Sequence, residues 1–542
     1  MNNKYSEWLN DKNIKEEDKK ILKKMTKEEI KNAFSFELKF GTAGIRGLMG
    51  LGSSRMNEYT IGKATVGLAL YLNKYKTNPS VVIAYDTRNN SKDFALNTAL
   101  ILNYYGIKTY LFDDVRSTPE LSFAVKYLKC TSGIVITSSH NPKEYNGYKV
   151  YNEKGGQIVH PEDDLIISEI NSLNNFEMIK YAPLNNELFN IIGEKVDKAF
   201  ECENEKVIIN QNLINEYAKN LKITYSSLHG VGYKPVTAIF NKYNINYNIV
   251  KEQCTYDGNF PYANEPNPEY RKNYDLAIKY AKELNSDVII ETDPDADRLG
   301  VMIKENDEYK LLNGNVVGCI FAYYLLTNSN KKGYLVRSIV STPMIDAIAK
   351  KYNCEVIEVL TGCKNIANKK EEIINDNENY IFGFEESLGY MFNIDVNDKN
   401  SISSIMMLIE ILCYLKSTNI SLSQYINKIY EEIGYYMEET ISFTYSGLDG
   451  SKIIEKYMND FRNDIITFNN ENYTKKDYLN EDGELNQNAL KYVFNDNSWI
   501  MLRPSGTEPK IKIYMGTTSN SYEKSKEKLE KIKIEINNIF NK

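Results

Sequence analysis

Histidine is nearly missing: three occur in 542 residues. A site built on several imidazoles is thereby excluded. Cysteine is sparse and unpatterned, at 130, 202, 254, 319, 354, 363 and 413. The count is odd and no two stand as C-x-x-C, which excludes a disulfide framework or a structural zinc site and predicts a reducing, cytoplasmic setting. A basic excess is also missing. The chain carries 66 Lys+Arg against 73 Asp+Glu, a net charge of −7, which argues against nucleic acid as a partner. No long apolar run is apparent; the most apolar window, residues 316–326 (VVGCIFAYYLL), falls far short of the ~20 residues that span a bilayer. The opening MNNKYSEWLNDKNIKEEDKK is charged throughout and unlike a signal peptide. What is present is 42% apolar and 26% charged residues, enough to bury cores. At about 150 residues per domain the length predicts three to four domains. The expectation is a soluble, intracellular, multidomain protein with no membrane partner.

The first 40 residues read as helices, with Ile21, Leu22, Met25 and Ile30 as a thin apolar stripe. Short apolar runs then alternate with amphipathic stretches. VVIAYD (81–86), KTYLFDD (108–114) and SGIVIT (132–137) read as strands, separated by helices. The same order returns from residue 221 to 293 and again from 333 to 386. Such alternation is the βαβ pattern of α/β domains, and its recurrence predicts three related units. Ser117-Thr118-Pro119 and Ser341-Thr342-Pro343 both fall at strand-to-helix junctions, where Ser/Thr caps and Pro at the first helical position explain them without a function. The tail differs. WIMLRPSGTEPKIKIYMG (499–516) reads as two strands around a loop, in a smaller α+β domain.

Four loops carry groups suited to chemistry. Thr137-Ser138-Ser139-His140-Asn141-Pro142 follows a strand, where α/β folds place ligands. Ser139 is a candidate nucleophile with His140 beside it; a plain turn explains the same residues. A Ser–His dyad is not expected, because adjacent residues of an extended strand point to opposite faces. Asp293-Pro294-Asp295-Ala296-Asp297-Arg298 ends an apolar strand. Three acids so spaced repel one another unless a cation holds them, and a hard divalent ion takes such oxygen ligands. Arg298 can pair with a carboxylate or a phosphate. An EF-hand is excluded, since its sixth and twelfth loop positions would be Arg298 and Lys304. Gly383-Phe384-Glu385-Glu386-Ser387-Leu388-Gly389 suits hydrogen bonds to a polyol, or equally an acid-rich helix N-terminus. Arg503-Pro504-Ser505-Gly506-Thr507-Glu508-Pro509-Lys510, with Lys512 beyond, gathers the donors of a phosphate cradle. No P-loop occurs, and Gly230-Val231-Gly232 lacks the third glycine of a dinucleotide fingerprint.

Together and in this order the loops resemble the α-D-phosphohexomutase superfamily, most closely its long phosphoglucomutase branch. That branch also contains phosphomannomutase, phosphopentomutase and glucose-1,6-bisphosphate synthase activities. The resemblance runs from about Trp8 to the C-terminus. It includes Phe40-Gly41-Thr42-Ala43-Gly44-Ile45-Arg46-Gly47 and Thr361-Gly362-Cys363-Lys364. It implies three mixed α/β domains (1–203, 204–311 and 312–428) and a smaller α+β domain (429–542). It implies a phosphoryl group on Ser139 rather than Ser138. Mg²⁺ would lie between that group and Asp293, Asp295 and Asp297. Arg46, His140 and Lys149 would lie at the reacting phosphate, Lys149 as an acid/base candidate. Arg298, Lys364, Glu385 and Ser387 would contact the sugar phosphate. Arg503, Ser505, Gly506, Thr507 and Lys512 would hold the phosphate that does not react. Glucose 1,6-bisphosphate would be the intermediate and activator, a mobile fourth domain would let it reorient, and the enzyme would be a monomer or weak dimer. Two departures stand out: Ser138 where many relatives have Ala or Gly, and Tyr390 where one branch has His. Two rivals remain at this point. A haloacid-dehalogenase-type phosphatase also uses Asp-x-Asp near Mg²⁺ but needs no Ser139, and a sugar-phosphate sensor could keep the cradle without the chemistry.

Overall fold

The computed structural model describes residues 3–41, 44–392, 395–445, 450–469, 472–480, 485–505 and 509–541. The chain forms two compact units, one of residues 1–313 with 387–419, the other of 314–386 with 420–542.

Two sheets of the first unit follow one plan. In the first, Ser80–Tyr85 is central, parallel to Lys108–Phe112 on one side and Ser132–Ile136 on the other; Tyr145–Asn152 then returns antiparallel. Gly44–Leu48 and Phe189–Ile192 complete its six strands. In the second, Lys222–Ser226 is central, parallel to Asn246–Ile249 and Val288–Thr292, and Leu299–Glu305 returns antiparallel. The second unit repeats the parallel part, with Tyr334–Ser338 paired to Glu355–Val359 and to Tyr380–Glu385. The architecture is α/β, and the expected recurrence is present as topology. Val81, Val82, Ile83 and Ala84 are all fully buried, which is why these strands read as unbroken apolar runs rather than as alternating ones.

The plan positions the chemistry. Each third parallel strand delivers one of the polar loops: Ser132–Ile136 leads to Ser139, Val288–Thr292 to Asp293, and Tyr380–Glu385 ends on Glu385 itself. Each loop then turns through a non-glycine residue at positive φ, Ser139 (51°), Ala296 (53°) or Leu388 (64°). The third loop is a tight turn over 386–388 into the strand Gly389–Phe392, so the acid-rich helix N-terminus is excluded there.

The C-terminal residues form a five-stranded antiparallel sheet from Tyr435–Thr444, Lys510–Ser519, Trp499–Pro504, Leu490–Phe494 and Tyr473–Asp477. Alternate side chains serve two cores. Leu490, Ile500 and Leu502 pack with Met458, Phe461 and Ile536 of the sheet's own helices. Trp499, Met501 and Tyr514 pack with Ile339 and Val340 of the preceding domain. Glu358 adds a polar tie, accepting Arg337 Nη1 (2.7 Å) and the Tyr478 hydroxyl (3.0 Å), with Lys491 Nζ at 3.5 Å. The fourth domain thus shares a core with the third.

Two local readings need correction. Ile21 is exposed, whereas Leu22, Met25 and Ile30 of the expected stripe do pack, together with Trp8 and Phe34. At 341–343 the residue preceding the helix Met344–Lys351 is Pro343 rather than a Ser or Thr, and the Thr342 hydroxyl accepts the Met344 N–H at 3.1 Å. The apolar window at 316–326 lies in the helix Gly314–Asn328. Among the described residues another apolar helix, Ser401–Thr418, is long and apolar enough to cross a membrane by length and composition, yet 78% of it is buried inside the protein. Glu410 upon it is fully buried and accepts the N–H groups of Ile209 (2.8 Å) and Asn210 (3.0 Å).

Candidate active site

Ser139 is buried and lies three residues beyond its strand. Its hydroxyl donates to Asp293 Oδ2 at 2.7 Å. Its Oγ also lies 3.3 Å from His140 Nδ1. The dyad contact that strand geometry argues against is therefore present. The reason is local: at φ 51° Ser139 is not extended, so it and its neighbour need not point apart. Burial first, then the charges of Arg298, Arg46 and Lys399, hold the His140 imidazole well below its ordinary pKa. It resists protonation and can accept a hydrogen bond. Ser138 is fully buried, and its Oγ has no hydrogen-bond partner.

Asp293, Asp295 and Asp297 are all buried, with one carboxylate oxygen of each inside a 4.8 Å cluster. Asp293 Oδ1 accepts the N–H groups of Asp297 (3.1 Å) and Arg298 (3.0 Å). Asp295 Oδ2 accepts Thr118 Oγ1 at 2.8 Å and Lys149 Nζ at 3.0 Å. Asp297 Oδ2 lies 3.1 Å from Lys399 Nζ. Oδ1 of Asp295 and Oδ1 of Asp297 have no hydrogen-bond partner. Burial, then the charges of Asp297 and Asp295, push the Asp293 carboxyl well above its ordinary pKa. Burial acts the same way on Asp295, but the charge of Lys149 and hydrogen bonds from Asp293, Lys149 and Thr118 together outweigh it and hold that carboxyl far down. Orphaned buried oxygens and mutual repulsion are what a divalent cation removes, so the donor set fits one. Arg46 is exposed, within the electrostatic reach of all three acids. The Arg298 guanidinium approaches Glu269 (3.7 Å) and Asp297 (3.9 Å).

In the second unit, Glu385 Oε1 accepts the N–H of Gly362 at 2.6 Å. That bond joins the Glu385 loop to the start of the helix Cys363–Asn375, whose second residue is Lys364. Glu386 Oε2 accepts the hydroxyls of Ser338 (3.1 Å) and Ser341 (3.4 Å). Arg503 and Lys512 are direct cross-strand partners, so two cations stand side by side. Arg503 Nη1 donates to the Tyr514 hydroxyl (2.9 Å), and the Ser505 N–H to Lys510 O (2.7 Å). Gly506 and Thr507 lie outside the described residues, as do Thr42 and Ala43. Ser387 is half-buried in its turn.

Comparison with known proteins is decisive at this point. The phosphoglucomutase/phosphomannomutase family descriptions match domain I over residues 37–177, domain II over 204–306, domain III over 313–433 and the C-terminal domain over 466–533. The chain belongs to the phosphoglucomutase/phosphomannomutase family. It is 37% identical over 511 residues to the phosphoglucomutase of Staphylococcus haemolyticus (strain JCSC1435), covering 90% of this chain and 92% of the relative. It is 36% identical over 508 residues to the phosphoglucomutase of Staphylococcus aureus (strain MRSA252), covering 90% and 91%. Parafusin (phosphoglucomutase) of Paramecium, in its open form, has the same fold, with a TM-score of 0.74 at 18% identity over 93% of this chain and 95% of that one.

Several site residues of this phosphoglucomutase/phosphomannomutase family member escape sequence reading. Thr118, assigned only to a helix cap, binds Asp295 twice, through its hydroxyl and through its N–H to Asp295 O (3.0 Å). Lys399 and Ser401 sit where the long buried helix begins; the Ser401 hydroxyl donates to Ala296 O at 2.6 Å. No local signal marks them. Gly230 is explained by packing rather than by a nucleotide: a Cβ there would lie 2.4 Å from Pro294 Cα, so only glycine lets the chain approach the acidic loop so closely.

Proposed function

We propose that the protein is a phosphoglucomutase. It would interconvert α-D-glucose 1-phosphate and glucose 6-phosphate through phosphorylated Ser139 and glucose 1,6-bisphosphate. The observation that carries this reading is the Ser139 hydroxyl, 2.7 Å from a carboxylate of a buried acidic triad. A phosphatase working through an aspartyl phosphate has no use for that contact. Phosphoryl transfer depends on positioning and charge neutralisation more than on covalent assistance. Asp293, Asp295 and Asp297 would hold Mg²⁺, which would offset the charge of a phosphoserine, up to about −2. Arg46 and Arg298 add positive charge beside the acids. Lys149 would be the acid/base candidate at the reacting phosphate, and His140 Nδ1 lies 3.3 Å from the Ser139 oxygen. The P–O bond at Ser139 breaks as one forms to the free hydroxyl of the sugar monophosphate, whose proton leaves to a base. The reverse step from the other phosphate restores phosphoserine. Glu385 and Ser387 would bind sugar hydroxyls and Lys364 the sugar phosphate. Arg503, Ser505, Gly506, Thr507 and Lys512 would hold the phosphate that does not react. Seven free cysteines, six of them buried, support a reducing, cytoplasmic setting.

Side-by-side rates on glucose 1-phosphate, mannose 1-phosphate and ribose 1-phosphate test the substrate. Glucose should lead; a dominant mannose or ribose rate would reassign the enzyme as a phosphomannomutase or phosphopentomutase. Arg503→Ala tests the cradle. A contact of equal strength in ground and transition state lowers KM and leaves kcat alone. Losing a charged hydrogen bond costs roughly 1.5–3 kcal/mol, so KM should rise about ten- to a hundredfold with a much smaller change in kcat. A large kcat loss at constant KM would place Arg503 at the reacting phosphoryl group instead.

Glu386 predicts a pH effect in the same unit. Burial and the neighbouring Glu385 push its carboxyl from 4.5 up to about 7. The folded state thus holds this proton more tightly than the unfolded chain does. The stability it contributes is complete below about pH 4.5 and is lost as pH rises through about 7. Glu386→Gln cannot titrate, so its urea midpoint should gain on wild type between about pH 5 and about pH 8. A gap between the two midpoints that stays constant with pH would refute the shift.

A further inference from the structure

Residues Asp86, Thr87 and Arg88 directly follow the central parallel strand Ser80–Tyr85 of the Ser139 sheet. The Arg88 and Asp86 side chains are wholly buried, with Arg88 Nε 3.2 Å from Asp86 Oδ2. A buried ion pair is costly to keep unless its remaining donors are used. Arg88 Nε makes no hydrogen bond, and the donors of its two amino groups go to one place. Arg88 Nη2 donates to the carbonyls of Ser139 (2.5 Å) and Asn141 (2.5 Å), and Nη1 to those of Pro142 (2.8 Å) and Tyr145 (3.1 Å). Its guanidinium lies over the Phe260 ring, 4.9 Å from the centroid. Asp86 serves the other side of the same residue. Its Oδ2 accepts the Thr137 hydroxyl at 2.6 Å, and Thr137 Oγ1 accepts the Ser139 N–H at 2.9 Å. The Asp86 Oδ1 accepts Ser91 Oγ (2.8 Å) and the Arg88 N–H (3.0 Å). Both backbone polar groups of Ser139 are therefore tied to a single buried ion pair.

That network has a purpose if Ser139 must be held at φ 51°. A non-glycine residue in this region is strained and persists only where its surroundings over-determine it. We propose that Arg88, backed by Asp86 and Thr137, is a positioning residue: it clamps Ser139 in the left-handed conformation that aims Oγ at Asp293. The proposal rests on Ser139 being the phosphoryl carrier. Lysine cannot replace the planar fork, since four carbonyls in two directions need two amino groups.

Arg88→Lys keeps the charge and removes the fork. Loss of aim at a reacting atom costs roughly 10²-fold in rate. The variant should show kcat lower by about that factor with KM within about threefold. Single-turnover transfer from phosphorylated enzyme to glucose 6-phosphate, counted per phosphorylated molecule, should be slowed equally. A clamp needed only for folding would lower the amount of active protein but not this normalised rate. Thr137→Val removes one link and should slow the same step by about tenfold. If Arg88→Lys does not fold, Thr137→Val decides alone, and a rate within twofold of wild type overturns the clamp, as does wild-type single-turnover behaviour of folded Arg88→Lys. Wild-type protein in the same assay separates the two ideas: absence of phosphate on Ser139 there sinks the phosphoserine reading and the clamp together, whereas active wild type beside an unimpaired variant sinks the clamp alone.

Discussion

Ser139→Ala is expected to fold normally and to lose mutase turnover by roughly 10⁵-fold or more. Removing a covalent nucleophile can cost about 10⁶ in kcat, because every other group in the site acts through it. The structural cost is small by comparison. The lost hydroxyl leaves Asp293 Oδ2 without its 2.7 Å donor, worth about 1–3 kcal/mol where the carboxylate stays buried. The neighbouring serine supplies the control. Ser138 Oγ has no hydrogen-bond partner and is fully buried, so Ser138→Ala should retain activity and be neutral or slightly stabilising. Intact mass and peptide mapping of wild type should place a phosphoryl group on Ser139, and Ser139→Ala should lack it. Phosphate on Ser138 alone, or full turnover by Ser139→Ala, would overturn the assignment and revive the aspartyl-phosphate alternative.

Chelating divalent metal is expected to lower turnover by about 10³-fold, and Mg²⁺ to restore it. Metal ions stabilise transition-state charge by several kcal/mol, and about 4 kcal/mol corresponds to that factor. The need here is greater than usual: three buried carboxylates already repel one another, and a phosphoserine adds up to about two further negative charges. Asp295→Ala should show a loss of similar size that added Mg²⁺ does not repair, because Lys149 loses its 3.0 Å partner along with the metal ligand. Calorimetric Mg²⁺ titration separates binding from turnover, since the variant should bind the ion more weakly even with no substrate present. Undiminished activity in excess chelator would count decisively against the triad.

Much of this protein is legible in order along the chain. The apolar cores of the runs at 81–86, 132–137, 286–293 and 379–386 read as buried strands, and the last three of these runs end in or lead into polar loops, so the fold class and three of the four loops follow from pattern alone. Hydrophobic periodicity and turn chemistry act over a handful of neighbouring residues, and such signals survive in a single sequence. What they cannot convey is which distant residue meets which. Thr118 reaches Asp295 across 177 positions, Lys149 across 146, and Arg88 reaches Ser139 across 51. Those meetings are made by the order of strands in the sheets and by the packing of the long helix Ser401–Thr418, which brings Lys399 and Ser401 to the acidic loop. Backbone conformation is decided in the same way. Serine ordinarily avoids positive φ, so nothing in the string Thr137-Ser138-Ser139-His140 announces the left-handed turn; it exists because a buried ion pair formed elsewhere in the sheet holds both of its peptide groups. The sequence by itself determined the elements, the loops and the types of group they present. Their mutual distances, and with them the difference between a polar turn and a phosphoryl-transfer site, were decided by tertiary structure, since only burial makes those charges interact strongly enough to matter.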